Sequence, residues 1–191
     1  MPKTTDYGGI ITEILMGPKE ISYIENCIKE LPLNGKIVEW GSGGSTCRWL
    51  ELLSETQRII SIDHKLDWIS RTNRAVKKHF DPPKDNLEFI FSPELDNYKH
   101  SYGVFIEEHP VGVVEYINPN DNIWDADIYI IDGIARGVCC VSVLLNHKKP
   151  NPIILLHDYV GREDWYNWVT NFFDIEIVGE TLCRLYIKRT K

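Results

Sequence analysis

The sequence predicts an α/β fold built on one mainly parallel sheet. Three features point to it. Short apolar runs alternate with segments of helical period along the chain. A glycine-rich turn, Gly41-Ser42-Gly43-Gly44, directly follows one of the first of those runs. The chain closes on two strand-like runs separated by Gly179-Glu180-Thr181, a spacing that makes an antiparallel hairpin.

Composition bounds the answer. With 191 residues, 43% hydrophobic and 26% charged, the chain suits one domain over residues 1–191 that needs no staple to fold. The formal net charge of −7 argues against a nonspecific grip on nucleic acid, which requires basic surface. Cys27, Cys47, Cys139, Cys140 and Cys183 form neither a CxxC pair nor a zinc spacing. They are expected as free thiols filling the core in a reducing compartment. No apolar run reaches the ~18 residues of a membrane span, and no signal-peptide pattern opens the chain. A cytoplasmic protein without a membrane partner is expected, and self-association is left open.

The elements follow in order. Residues 18–31 read as a helix, with Pro18 in its first turn and Ile21, Ile24, Ile28 and Leu31 on one face. Residues 36–40 form the first core strand. A helix follows the glycine turn, with Thr46, Trp49, Leu50 and Leu53 on one stripe. Residues 58–63 are the second strand, and 65–80 a helix that turns Trp68, Ile69, Thr72 and Val76 inward. Residues 87–91, 127–132 and 152–158 are further strands. The helix between the last two, 135–147, carries Val138, Val141, Leu144 and Leu145 as its apolar set. A Trp-rich helix over 164–172 precedes the hairpin of 174–178 and 182–187. Residues 92–126 are irregular, with a hairpin of 104–106 and 111–117 expected, and a long insertion of this kind is expected to cover part of the site.

A nucleotide-type site is expected at the glycine turn. Glycine lets the backbone turn tightly beside a ligand, and the following helix N-terminus offers free N–H groups. Glu39, Gly41, Gly43, Ser45 and Thr46 line this turn. Glu39 offers a carboxylate to a cationic amino group, and Asp63, ending the next strand, can hold two ribose hydroxyls. Trp68 and Ser92 lie near where an adenine would sit, though a tryptophan there more often faces the core. His64 is counted with the cofactor residues, its plain reading being a solvated polar side chain.

Two more strand ends reach the same edge. Ile131 is followed by Asp132-Gly133, with Arg136 just beyond, and Leu156 is followed by His157-Asp158-Tyr159. In open α/β sheets ligands bind at the carboxyl ends of strands. Asp132 and Asp158 can hold Mg²⁺ or Mn²⁺ through oxygen. His157 titrates near neutrality and can take a proton from an acceptor hydroxyl; Asp158 is the alternative base. Arg136 and Tyr159 are placed on the acceptor. The plain alternatives are a helix cap for Asp132, a core histidine for His157 and a surface ion pair for Arg136. Trp165, Tyr166 and Trp168 read either as a sugar platform or, at this spacing, as core. The basic run Lys65, Arg71, Arg74, Lys77 and Lys78 reads as a solvated helix face.

A parallel sheet ending in an antiparallel hairpin resembles the class I S-adenosylmethionine-dependent methyltransferases, a Rossmann-like fold with seven strands in the order 3-2-1-4-5-7-6 and helices on both faces. A nicotinamide dehydrogenase is the rival, but its third glycine is replaced by Thr46, and the chain has no room for a second domain. Within the class, the chain resembles the glucuronoxylan 4-O-methyltransferase family. The resemblance rests on 39–46, on Ser61-Ile62-Asp63-His64 with Trp68, on 127–133 with Arg136, and on Leu156-His157-Asp158-Tyr159 with Arg162. It implies S-adenosyl-L-methionine as cofactor, cation-assisted O-methylation, and a sugar or glycan acceptor. The family's Pro-Arg-Gly is here Ala135-Arg136-Gly137, and its membrane-anchoring N-terminal region has no counterpart. The reaction is carried over and the xylan substrate is not. A catechol-like or amine acceptor, or a non-catalytic nucleotide-binding role, are the other expectations.

Overall fold

The computed structural model describes residues 3–7, 10–82, 84–92 and 110–188. A β-hairpin, β1 (Lys3–Tyr7) and β2 (Ile10–Ile14), leads into α1 (Pro18–Lys29). There follow β3 (Lys36–Trp40), α2 (Gly44–Leu52), β4 (Arg58–Asp63), α3 (Leu66–His79) and β5 (Leu87–Phe91). Then come α4 (Pro110–Ile117), a 3-10 turn, β6 (Ile128–Ile131), α5 (Arg136–Asn146) and β7 (Ile153–Leu156). The chain ends on α6 (Glu163–Tyr166), a second 3-10 stretch (Asn167–Asn171), β8 (Phe173–Ile177) and β9 (Cys183–Ile187).

The main sheet has seven strands in the order β5-β4-β3-β6-β7-β9-β8. Counted within that sheet, this is the expected 3-2-1-4-5-7-6. β3 to β7 run parallel, and β9 is antiparallel to both β7 and β8. Alternate residues of each strand face opposite sides. Ile37, Ile59, Ile128, Ile130 and Leu155 pack against Ile21, Ile24 and Ile28 of α1, Trp49 and Leu50 of α2, and Val76 of α3. Val38, Trp40, Tyr129 and Ile131 pack on the other side with Tyr116 of α4 and Cys139, Cys140 and Val143 of α5. Each fully buried aliphatic or aromatic side chain stabilises the fold by roughly 1.5–3 kcal/mol. All five cysteines are free and buried. Among the described residues no helix is long and apolar enough to cross a membrane.

Four expectations are corrected. Residues 111–117 belong to a helix rather than a hairpin, because Pro110 starts it and Val113 and Tyr116, three apart, both bury. The other half of that expected hairpin, 104–106, lies outside the described residues. The buried face of α5 is Cys139, Cys140 and Val143, while Leu145 is 75% exposed; the cysteines act as small apolar residues and rotate the helix from the expected stripe. Trp68 is 40% exposed, since Ile69, Thr72, Ala75 and Val76 already fill the inner face of α3. The Trp-rich segment is a short α-helix continued as 3-10, and it buries Tyr166 and Val169 while Trp165 and Trp168 stay at the surface. The β1–β2 hairpin is an addition that sequence reading had not anticipated.

Two constraints inside this fold bear on the site. The first is Glu39, which is fully buried. Its carboxylate accepts hydrogen bonds from Ser45 Oγ (2.7 Å), Thr46 Oγ1 (2.5 Å), Ser61 Oγ (3.1 Å) and Trp49 Nε1 (3.1 Å). It therefore ties β3 to α2 and β4. The second is the meeting of two loops. Gly41 has φ +107°, and a Cβ there would fall 3.0 Å from the backbone of Asp132 and Gly133. A Cβ on Gly133 would fall 2.0 Å from Tyr116 Oη.

Gly133→Ala is expected to destabilise the protein by about 1–3 kcal/mol in urea unfolding, the usual cost of overpacking. The cost should shrink in a Tyr116→Phe background, where the opposing hydroxyl is gone. Gly43→Ala, with open space around it, should stay within about 0.5 kcal/mol of wild type.

Burial pushes the Glu39 carboxyl up to about 7, against the hydrogen bonds from Thr46, Ser45 and Ser61 that favour its ionised form. The folded protein keeps this proton where the unfolded chain, near 4.5, has released it. The stability contributed by the proton is present below about pH 4.5 and is lost as pH rises through about 7. Urea unfolding from acid to neutral pH should show that slope in wild type, and its removal in Glu39→Gln.

Candidate functional site

The parallel ladder runs one residue past the strand ends. Gly41 N–H donates to Ile62 O (2.8 Å), Ser92 N–H to Asp63 O (3.0 Å), Asp132 N–H to Trp40 O (2.9 Å) and His157 N–H to Ile131 O (3.1 Å). This register lines up Gly41, Asp63, Ser92, Asp132 and His157 along one edge of the sheet. The chain leaves β3 on one side for β4 and returns on its other side at β6, so a crevice opens there.

On the nucleotide side, Asp63 is buried, and its two oxygens accept from Ser42 N–H and Lys65 N–H (both 2.8 Å). It fixes the loop from beneath and keeps lone pairs to spare. Ser42 Oγ meets Ser61 Oγ at 2.8 Å. His64 Nδ1 lies 3.4 Å from Asp63 Oδ1, and its ring stands perpendicular to that of Tyr116 with centroids 6.0 Å apart. The buried Ser92 hydroxyl has no hydrogen-bond partner among the described residues. Trp68 is open on the surface, with Arg71 5.8 Å above its ring. Asp63 therefore has lone pairs, and Ser92 a hydroxyl, that no described residue engages.

Glu39, Ser45 and Thr46 do not fit as direct ligand contacts. Their polar groups are spent on one another, so they shape the loop from inside. Gly43 N–H donates to Thr46 Oγ1 (3.0 Å) as part of the same packing.

On the other side, Asp132, His157 and Asp158 meet. His157 Nδ1 lies 2.6 Å from Asp132 Oδ1 and 3.7 Å from Asp158 Oδ1. Arg136 is buried, and its guanidinium donates to Gly133 O (2.8 Å), Asp132 O (3.1 Å), His157 O (2.8 Å) and Asp158 Oδ2 (2.7 Å). It also sits 3.3 Å from Asp132 Oδ1. Arg162 adds a second cation at 3.2 Å from Asp158 Oδ2. Ala135 (φ +50°) and Asp158 (φ +56°) both hold left-handed backbone. Such conformations cost energy and cluster at functional sites.

Burial works against ionisation of both His157 and Asp158. The hydrogen bond and charge of Asp132, with the charge of Asp158, still raise the imidazole above its ordinary value. The charges of His157, Arg136 and Arg162 hold Asp158 below the ordinary carboxylate value.

The sequence placed Mg²⁺ or Mn²⁺ between Asp132 and Asp158. One donor atom from each of Asp132, His157 and Asp158 lies within 4.8 Å of the others, so the spacing alone allows an ion. The chemistry of the set does not fit one. Nδ1 of His157 is engaged with Asp132, and an ion would have to displace or crowd a guanidinium that holds both carboxylates. Positive charge is already supplied by the chain.

Arg136 thus clamps the site rather than an acceptor. Tyr159 is buried in the core, and its hydroxyl meets Asn167 Oδ1 (3.4 Å), so it is not placed as an acceptor contact either. Sequence reading missed Glu20, a buried carboxylate in the first turn of α1 that lies 3.6 Å from His157 Nε2. Its one signal was position: an acid three residues after Gly17, where a helix cap is expected. Nothing in the sequence ties it to residue 157.

No protein-family model matches the chain, and no curated protein matches it. Solved structures do. A methyltransferase-like protein from Silicibacter pomeroyi superposes with a TM-score of 0.70 at 17% identity, covering 94% of this chain and 90% of its own. The Podospora anserina methyltransferase bound to S-adenosylhomocysteine gives 0.61 at 15% identity, covering 89% and 78%. The Bacillus cereus O-methyltransferase, also with S-adenosylhomocysteine, gives 0.59 at 13% identity, covering 90% and 82%. The chain shares the Rossmann-like fold of these methyltransferases.

Proposed function

We propose that this protein is an S-adenosylmethionine-dependent O-methyltransferase acting on a sugar hydroxyl of a glycan or glycoside. One observation carries the reading. The loop over Asp63 touches the Asp132-Gly133 loop at Gly41, so a nucleoside site and a pair of carboxylates share one crevice. The shared fold supports the cofactor, and the strand-end carboxylates support an oxygen acceptor.

Asp63 would hold the ribose hydroxyls, with Ser92 and Trp68 toward the adenine. S-adenosylmethionine supplies an electrophilic methyl group, which needs only an aligned and deprotonated oxygen to receive it. Asp132 and Asp158 are part-exposed and orient the acceptor hydroxyl. His157 is closed to solvent, so it takes the proton through Asp132 rather than by direct contact. Trp165 and Trp168, exposed beside Arg162 and Gly137, offer aromatic faces to a sugar ring. We assign the whole chain to one domain and the described part of the expected insertion, residues 110–126, to the rim of the crevice, supported by Tyr116 reaching Gly133; its residues 93–109 lie outside the described residues.

Calorimetry with S-adenosylhomocysteine should show one saturable site. Asp63→Ala should weaken it at least about tenfold, from the roughly 1.5–3 kcal/mol of a hydrogen bond to a charged group. No binding would overturn the reading. Turnover on sugars but not on phenols or amines would fix the acceptor class, and the reverse would move it to a small-molecule enzyme. Activity untouched by both Asp132→Ala and His157→Ala would remove the chemistry from this site.

A chelation test follows from Arg136. Excess EDTA should leave the rate unchanged. A loss restored by Mn²⁺ would show that an ion does displace the guanidinium.

A further inference from the structure

Lys36, Arg48, Arg136, Lys149, Arg162 and Lys188 are each paired with a carboxylate. The basic run along α3 differs. Lys65, Arg71, Arg74, Lys77 and Lys78 are exposed, and among the described residues none of them has an ion-pair partner. Against them α3 sets one acid, Asp67, in its first turn. The whole chain carries a net charge of −7, so this helix is a positive stripe on a negative molecule.

The stripe is continuous. Ile69, Thr72, Ala75 and Val76 form the buried side of α3. At 3.6 residues per turn, Leu66, Ser70, Arg74, Lys77 and Lys78 fall on the opposite side, with Arg71 at its border. All six are exposed. α3 has 14 residues, which makes this face about 21 Å long. Leu66, 51% exposed, ends it at the N-terminal turn.

A row of unpaired cations attracts anions, and the surrounding charge decides which kind. A nucleic acid is gripped by neutralising many phosphates at once. It would run on past one helix onto a surface where acids outnumber bases. A lipid surface is flat and meets the protein only where the helix faces it. Acids on the far side of the domain then lie beyond the screening length of about 8–10 Å. A half-exposed leucine among lysines and arginines also suits the headgroup boundary. There the cations meet phosphates while an aliphatic side chain reaches the acyl region. The phosphates and sugars of a nucleic acid offer that leucine nothing.

We propose that the exposed face of α3 is a docking surface for an anionic phospholipid bilayer, with Arg71, Arg74, Lys77 and Lys78 on the phosphate headgroups and Leu66 at the acyl boundary. The contact is peripheral, since among the described residues no helix is long and apolar enough to cross a membrane. Each lysine or arginine close to such a surface strengthens binding about fivefold. The inference is independent of what the crevice methylates.

Co-sedimentation of the full chain with vesicles tests it. Vesicles of equal parts phosphatidylglycerol and phosphatidylcholine should bind the protein at low salt, and vesicles of phosphatidylcholine alone should not. Binding should weaken at least about tenfold between roughly 0.05 and 0.3 M salt, as the charges are screened. Arg74→Glu combined with Lys77→Glu should lower it by about tenfold or more, with the fold kept in circular dichroism. Lys188→Glu, at the opposite edge of the sheet, alters the net charge without touching α3 and should bind like wild type. Leu66→Ser should lower binding about threefold, through lost apolar burial; unchanged binding would strike the leucine from the contact. Equal binding to the two kinds of vesicle would overturn the proposal, and so would equal losses in the α3 and Lys188 variants. A single-stranded oligonucleotide bound through the same charges, with vesicles left unbound, would assign the stripe to nucleic acid instead. The wild-type comparison needs no variant, so it decides even where a charge reversal does not fold.

Discussion

The site depends on the backbone contact between the loop after β3 and the loop after β6. Parallel pairing of these strands is what brings the two loops together, and two glycines let them touch. Gly41 takes a positive φ against Asp132, and Gly133 gives its side-chain space to the Tyr116 hydroxyl. Tyr116 in turn accepts from Ile134 N–H at 3.3 Å and its carbonyl accepts from Trp40 Nε1 at 3.0 Å. A single cluster of packing therefore fixes where a nucleoside would lie relative to Asp132. Methyl transfer needs donor carbon and acceptor oxygen in line, and small displacements are costly. In the proposed reaction, the packed joint between the two loops would set that alignment.

Around this joint charge is dense: Glu20, His157 and Arg136 are buried, while Asp132, Asp158 and Arg162 are part-exposed. Glu20, Asp132 and Asp158 face His157, Arg136 and Arg162, three potential negatives against three potential positives. Their separations of 2.6 to 3.7 Å make each ion the partner of another. Removing a partner of one of the buried members leaves its charge uncompensated, which costs more than the pair contributes. The same density explains why Arg136 spends its remaining donors on three carbonyls. A guanidinium held at that many points cannot swing out to greet an acceptor, and it occupies the positive end of the local field that a divalent ion would otherwise fill.

Much of the fold was legible because it is written in local periodicity. Val38, Ile60 and Tyr129 sit in short apolar runs bounded by turns, and such runs give strands; their alternation with helices gives the parallel sense, while the strand order was implied by the resemblance to class I methyltransferases. The hairpin closure was equally local, in Gly179-Glu180-Thr181. What was not legible depends on partners distant in sequence. The face of α5 turned on cysteines packing as apolar residues. The helix over Pro110–Ile117 was obscured by β-branched valines that suit either state. Glu39 illustrates the limit at the site: a carboxylate beside a glycine turn reads as a ligand group, and only the surrounding hydroxyls of Ser45, Thr46 and Ser61 reveal it as internal. Glu20 illustrates it more fully, since its partners Thr181, Leu182 and His157 lie at the other end of the chain.

The surroundings of the carboxylates bear on what kind of acceptor could reach them. The side chains of Asp132 and Asp158 are part-exposed. Beside them Trp168 is locked over Gly137, where a Cβ would come within 2.6 Å of the indole, and its Nε1 donates to Trp165 O at 3.1 Å. Trp165 itself carries Arg162 5.9 Å above its ring, the same arginine that holds Asp158. Exposed indoles fixed in this way lose little entropy on binding and present flat apolar faces next to hydrogen-bonding carboxylates. A sugar ring offers that combination, with C–H bonds on one face and hydroxyls around its edge. That pairing of apolar face and hydrogen-bonding edge is what favours a sugar in the proposed reading.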